Sequence, residues 1–368
     1  MRGAAPAPLA SLNRVAAADS GAREWPADPP APAGDLQGEL DAFTTIDACV
    51  EARARLDPLV GEAIEAIGYD TFLQDACRLL DAAKARDPRR CDTVGATSLR
   101  ERCEATVAEV TGDADACPWT TPARPRLGRD PGCVAIALRD TRLCAGAARS
   151  STQVTCEAVV THDRARCGAL STPSEMERCA RAADRWRAVL PAASQDRAAA
   201  FQTSGTVRVD AFDAGAPELD VALGLDVRHG VVVNEERDGS HVVVGPLSES
   251  GLDFVAPSPY VRATLAFEMV ATAGRSSAAN GTEARIERAE LVVPGRAAVA
   301  TPAARSTLRA TSARFEAKRG ASLEVTIEGT LSSAVGDWRV RGRLVTFVRD
   351  VVRRESGQAA GGPSVLFR

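Results

Sequence analysis

The residues of this 368-residue chain whose types and spacing could do chemistry are, first, its ten cysteines, all of which lie between Cys49 and Cys179. A thiol can serve as a nucleophile, a metal ligand or half of a disulfide, and spacing separates these uses. Eleven residues lie between Cys91 and Cys103, between Cys144 and Cys156, and between Cys167 and Cys179. Fifteen lie between Cys117 and Cys133, and twenty-seven between Cys49 and Cys77. Zinc wants close ligand pairs, about two to four residues apart. Here no two cysteines have fewer than ten residues between them, and His162 is the only histidine in the stretch. Structural disulfides are therefore preferred over metal ligation and over free or catalytic thiols.

The expected connectivity joins consecutive cysteines: Cys49–Cys77, Cys91–Cys103, Cys117–Cys133, Cys144–Cys156 and Cys167–Cys179. It keeps the gap within three pairs identical. A competing register joins Cys77–Cys91, Cys103–Cys117, Cys133–Cys144 and Cys156–Cys167, and leaves Cys49 for Cys179. It also places its cysteines symmetrically about turns. Closing a loop of about thirteen residues contributes roughly 3 kcal/mol in the chain-entropy model.

The remaining candidates for chemistry are few. His229 and His241 flank a predicted hairpin, and with Asp226 or Glu235 they would supply a metal set; exposed hairpin histidines are the preferred reading. Asp220 and Asp226 fall on one face of a predicted strand, and acid pairs can cleave glycosides. Carboxylates alternating with an apolar face read better as a solvated face. Asn280-Gly281-Thr282 matches a glycosylation sequon, and reads better as a turn in which Asn-Gly tolerates positive φ. There is no P-loop, no dinucleotide fingerprint, no H-E-x-x-H and no G-x-S-x-G. No catalytic residue, cofactor or metal ligand is assigned from the sequence.

The elements that must position these residues follow from capping and periodicity. Asp87, Asp113, Asp140 and Asp163 each stand four residues before the first cysteine of a pair. Aspartate is a preferred helix N-cap, and Pro88 and Pro131 sit where a missing N–H costs nothing. Ser98 with Glu101 and Thr172 with Glu175 fit the capping box, and Asp70 is expected to cap a further helix that follows one running from Asp57-Pro58 to Gly68. The words Cys103-Glu-Ala-Thr-Val and Cys156-Glu-Ala-Val-Val recur. Residues 37–198 thus read as an array of short helical hairpins with a period of about 23 residues, each stapled by a disulfide. The Pro- and Arg-rich stretch 118–131 is expected to be an exposed loop.

From about residue 201 the period changes from helical to two. Leu219 to Val227 and Val261 to Met269 alternate apolar and polar residues. Phase changes between Ile286 and Ala289, and between Ala310 and Ala313, predict β-bulges. Glu236-Arg237-Asp238-Gly239 reads as a hairpin turn. Residues 323–331 and 336–344 are expected to pair around the loop Ser332–Val335, with Glu328 opposite Arg339, Glu324 opposite Arg343, Ile327 opposite Val340 and Leu323 opposite Leu344. The stripe Arg339, Arg341, Arg343 then reads as a solvated, carboxylate-paired face.

The expected fold is α+β: an Ala/Pro-rich lead over 1–36, a cysteine-paired helical repeat domain over 37–198, an antiparallel β-sandwich or barrel-like domain over 199–354, and a tail over 355–368. Residues 192–200 are the linker. Only two of the 45 basic residues are lysine, Lys84 and Lys318, a bias that a GC-rich bacterial coding sequence imposes. With a net charge of −4, these arginines are not a nucleic-acid footprint. No run reaches the length of a membrane helix, and the first residues lack the continuous apolar stretch of a signal peptide, although the cysteines call for an oxidising compartment. The expectation is a non-catalytic extracytoplasmic protein, periplasmic, cell-surface or secreted, that binds a protein or glycan or acts structurally. The alternatives are a secreted hydrolase with its site on β-domain loops, and an inhibitor presenting loop 118–131.

Overall fold

The computed structural model describes residues 44–51, 68–190 (apart from 122, 148, 149 and 188), 201–211 (apart from 202), 220–224, 228–245, 252–255, 264–272, 282–292, 299–301, 307, 309–333 and 336–353. All belong to one unit, Gly34–Arg368. The lead 1–36, the linker 192–200, the tail, Asp57-Pro58, Asp226 and Asn280-Gly281 lie outside the described residues.

The helical part contains α1 (Ile46–Glu51), α2 (Tyr69–Ala85), α3 (Thr97–Thr111), α4 (Pro131–Leu138), α5 (Ser150–Thr161) and α6 (Pro173–Arg187). Between them the chain turns in one recurring way. A helix ends on a left-handed residue: Arg86, Gly112, Arg139 or His162. The aspartate that follows, Asp87, Asp113, Asp140 or Asp163, sends its amide back to the carbonyl five residues earlier at 3.0–3.2 Å. This satisfies one of the open carbonyls at a helix end. Its side chain meanwhile accepts the amide two residues on, at 3.0–3.1 Å. Each aspartate thus ties off one element and caps the next.

What it caps differs from expectation. The first cysteines of four pairs sit on or beside short 3-10 helices, Pro88–Thr93, Ala114–Ala116, Thr141–Gly146 and Arg164–Ala169, while Cys49 lies on α1. Few residues separate cap from cysteine, and a tighter coil suits so short a piece. All five disulfides join consecutive cysteines, with Cα separations of 5.7 to 5.9 Å. The competing register is not formed, and no described cysteine is free.

Two other caps depart from the sequence reading. Gly68 is the N-cap of α2, at φ 80, so Asp70 falls in the first turn. Helix α3 begins after Ala96, with Ser98 already inside it. Its entry is held from a distance, because the buried carboxylate of Asp75 accepts the N–H of the N-cap residue Ala96 at 2.8 Å and of the preceding Gly95 at 3.1 Å. Thr172 does cap α6 with Glu175, accepting its amide at 3.2 Å and donating to its carboxylate at 2.8 Å.

Eleven named strands follow: β1 (Ser204–Ala211), β2 (Asp220–Gly224), β3 (Val231–Glu235), β4 (Ser240–Val244), β5 (Leu252–Val255), β6 (Thr264–Thr272), β7 (Thr282–Val292), β8 (Val299–Thr301), β9 (Arg309–Arg314), β10 (Ser322–Ser333) and β11 (Gly336–Arg353). They form one sheet in the order β1-β2-β5-β6-β4-β3-β11-β10-β9-β7-β8. Pairings of β1 with β11 and β6 with β7 tie strands that this order sets apart, so the sheet curls as a half-barrel. All pairs are antiparallel except β3 with β11, a departure from the expected all-antiparallel sheet. The inward residues Val207, Val209, Val325, Ile327, Val340 and Leu344 are buried, as the alternation requires.

Both predicted bulges occur. Opposite β6, Arg288 and Ile286 are successive partners and Glu287 is the extra residue; opposite β10, Ala313 is. Residues 236–239 make the β3–β4 turn, where Gly239 has φ 80 and Asp238 accepts the amide and hydroxyl of Ser240.

The β10–β11 register is a correction. Glu328 faces Arg341, Glu324 faces Val345, Ile327 faces Gly342 and Leu323 faces Thr346, two residues from the expected set. A slip of two preserves both faces, so alternation cannot detect it. The ladder instead continues to Ser333–Gly336, leaving two residues to turn rather than four. The arginine stripe remains exposed, and two of its members are carboxylate-paired: Arg341 with Asp210 at 3.1 Å, and Arg343 with its expected partner Glu324, now diagonal to it across the ladder.

One left-handed residue makes stability depend on pH. Burial, then the charges of Arg187 and Arg139, holds the His162 imidazole below its usual 6.5. Its Nε2 is buried without a hydrogen-bond partner. As pH falls through 6.5, the unfolded chain takes up a proton that the folded chain resists, so acidification favours unfolding. His162→Asn keeps a residue tolerant of the left-handed region and removes the titration. Its melting temperature should fall less than that of the parent between about pH 7.5 and about pH 5.5. Parallel curves would contradict this.

Candidate functional site

The sequence candidates come first. The β3–β4 register sets His241 beside Glu235 at the far end of β3, while His229 lies in the turn that precedes the strand. The hairpin therefore separates the two histidines. His229 Nδ1 lies 3.0 Å from the carbonyl oxygen of Ala145 in the helical part. His241 is buried edge-on to Phe315, with ring centroids 5.5 Å apart, so it is not an exposed hairpin histidine. Glu235 is engaged by Arg353 at 3.3 Å. Asp220 pairs by register with Asp210. Among the described residues, no group of three or more His, Cys, Asp or Glu is placed to hold a metal ion.

Among its described residues, the loop 118–131 is exposed only around its tip, at Thr120 and Ala123–Pro125. Trp119 and Arg129 bridge its base, with the guanidinium 4.3 Å from the indole centroid. Its returning limb docks on the sheet. Asn234 donates to the Arg126 carbonyl at 3.3 Å, Arg349 to the Leu127 carbonyl at 2.6 Å, and Arg129 N–H to Asp350 at 2.8 Å. Gly128 has φ 79, and a Cβ there would meet Val232 at 3.0 Å, so the approach needs glycine. The expectation of an exposed loop holds at the tip and fails on the returning limb, whose carbonyls and arginines have partners far away in sequence.

The same seam buries charge. Asp350 is fully buried and takes Arg319 at 2.6 Å as well as the Arg129 amide. Arg319 reaches on to Asp115. For Asp115, burial pushes the carboxyl up, but the hydrogen bond and charge of Arg319 outweigh it and hold the group below its usual range. Phe347 of β11 joins the core of the helices and stacks on Phe201 at 4.0 Å. Among the described residues, Asp350 is the acid on which this junction turns.

A second feature is a cleft of about 340 Å³ within the helical layer, where one face each of α3, α4, α5 and α6 converge. Its floor is apolar: Ile136, Val159, Leu170, Ala182 and Trp186. Its walls are polar. Arg102 and Glu109 stand two turns apart on α3, 3.6 Å from each other, with Glu109 almost fully buried. Glu175 and Arg178 stand one turn apart on α6, and Ser151, Thr152 and Thr155 line the first turns of α5. Cys133 and Cys156, from two disulfides, also border it, so the staples fix two of its walls. Sequence reasoning missed this site. Its signals were a glutamate inside the apolar run Ala105–Val110 and the α6 face Glu175, Arg178, Ala182, Trp186 at helical spacing.

Comparison with known proteins adds no likeness to argue from: no protein-family model, no curated protein and no solved structure matches the chain. Among the described residues, no helix is long and apolar enough to cross a membrane.

The seam yields a direct test. Asp350→Ala leaves Arg319 and the Arg129 amide facing an empty acceptor site, and breaking a buried pair from one side costs about 3–5 kcal/mol. Urea unfolding of the oxidised variant should show that loss. A change under about 1 kcal/mol, the range of exposed pairs, would mean the seam holds nothing.

Proposed function

We propose that this chain is a non-catalytic binding protein of an extracytoplasmic, oxidising compartment, and that it uses the cleft in its helical layer. The observation that carries the reading is a mixed polar and apolar cleft whose walls are fixed by disulfides. Five disulfides formed from ten cysteines fit a periplasmic, cell-surface or secreted location, where thiols stay oxidised. A site of this size, with an apolar floor and a few convergent polar groups, is what small-molecule recognition uses. The histidines support a non-catalytic reading by position, since one is packed in the sheet and the other sits against Ala145. The docked limb of loop 118–131 argues against presentation of that loop to a protease.

Native mass spectrometry of the oxidised chain tests the reading. After incubation with small-molecule, glycan and oligopeptide libraries, it should retain one class at a single site. Thr152→Trp, at the exposed mouth, should abolish retention and leave the fold intact. Turnover of a glycoside, ester or peptide that is lost on His229→Ala or His241→Ala would instead make the chain a hydrolase.

A further inference from the structure

We infer that the cleft takes a zwitterion of the amino-acid type carrying an apolar side chain. The inference rests on the binding reading above and goes beyond it in naming the ligand. Two guanidiniums, Arg102 and Arg178, and three carboxylates, Glu109, Asp130 and Glu175, line the same half-enclosed space. An unpaired charge is costly there, because the walls replace the water that would otherwise solvate it. With Arg102 and Glu109 already set against each other at 3.6 Å, a simple anion still meets Asp130 and Glu175, and a simple cation still meets Arg178. A neutral apolar molecule strips water from the mouth and gives its polar groups nothing in return.

A ligand with one charge of each sign avoids these costs. Glu175 and Arg178, on one face of α6 three residues apart, present opposite charges side by side. An α-ammonium against Glu175 and an α-carboxylate against Arg178 would meet them in kind. The hydroxyls of Ser151 and Thr152 in the first turn of α5, which also line the cleft, add neutral donors and acceptors. The same cleft is lined by the buried apolar residues Ile136, Val159, Leu170 and Trp186, which offer a polar side chain no partner and an apolar one a surface to cover. The volume of about 340 Å³ lies at the small end of ligand sites, which suits a single residue rather than a long peptide.

Isothermal titration of the oxidised full chain with three probes decides the matter: L-phenylalanine, phenethylamine without the carboxylate, and N-acetyl-L-phenylalanine without the ammonium. L-Phenylalanine should saturate one site, and each truncated probe should bind about ten- to a hundredfold more weakly, the worth of a charge-assisted hydrogen bond. Arg178→Gln should weaken L-phenylalanine by a similar factor and leave phenethylamine unchanged. Glu175→Gln, which keeps the cap on α6, should weaken L-phenylalanine and leave the N-acetyl form unchanged. Equal binding of all three probes, or indifference to both variants, overturns the zwitterion. Lauric acid and methyl glucoside, run alongside, separate the two levels of the account. If either saturates a site that Thr152→Trp closes while L-phenylalanine does not, the ligand class is wrong and the cleft still binds. If none of the five probes binds, the zwitterion fails, and the library experiment decides the binding reading separately.

Discussion

Most of this structure depends on how the chain reverses direction between short helices. Helices of six to seventeen residues are marginal in water on their own. Each reversal is therefore fixed twice. An aspartate ties the end of one helix to the start of the next turn through its own amide and carboxylate, and a disulfide then joins that turn to the following helix. The first device sets local geometry. The second removes freedom from the unfolded chain, which lets small units persist without a large core of their own. Cysteine sulfurs also occupy the interior that bulky side chains would otherwise fill, since all ten cysteines are buried, eight of them in one core with Phe72, Leu99 and Trp186.

The helices and the sheet share one interface, and its character is unusual in being polar at the centre. Arg349, an extra residue where β11 runs parallel to β3, is buried and points at a loop carbonyl. Burial pushes its guanidinium below the ordinary value, the sign of a charge held away from water. Asp350 beside it takes two partners from two different segments. Groups like these stabilise only when their geometry is satisfied, so they favour one arrangement of sheet against helices over many that plain apolar contact would allow. The cleft lies in the helical layer, and its walls belong to helices joined by capped turns and disulfides.

How much of this was legible in the sequence varied with the range of the interaction. Cysteine pairing, the four capping aspartates, the turn at Gly239 and the bulges at Glu287 and Ala313 were readable, because each is written in a few neighbouring residues. Signals that repeat every two residues fix a face but not a register, which is why β10 and β11 pair two residues away from the expected set. Distant partners were invisible. Nothing around Ser98 reveals that Asp75 holds the entry of that helix, and nothing in 118–131 reveals Asn234, Arg349 and Asp350 waiting across the seam. The cleft was hidden for the same reason: its charged residues sit on three different elements, and each alone looks like an ordinary polar position on a helix.

The account stands or falls on which cysteines are joined, since the alternative connectivity would link neighbouring units instead of closing each one. Mass-spectrometric peptide mapping without reduction answers this on the native protein. The account predicts linked peptides containing Cys91–Cys103, Cys117–Cys133, Cys144–Cys156 and Cys167–Cys179, with Cys49–Cys77 as the fifth. Recovery of Cys103 linked to Cys117, or of Cys156 linked to Cys167, would contradict it.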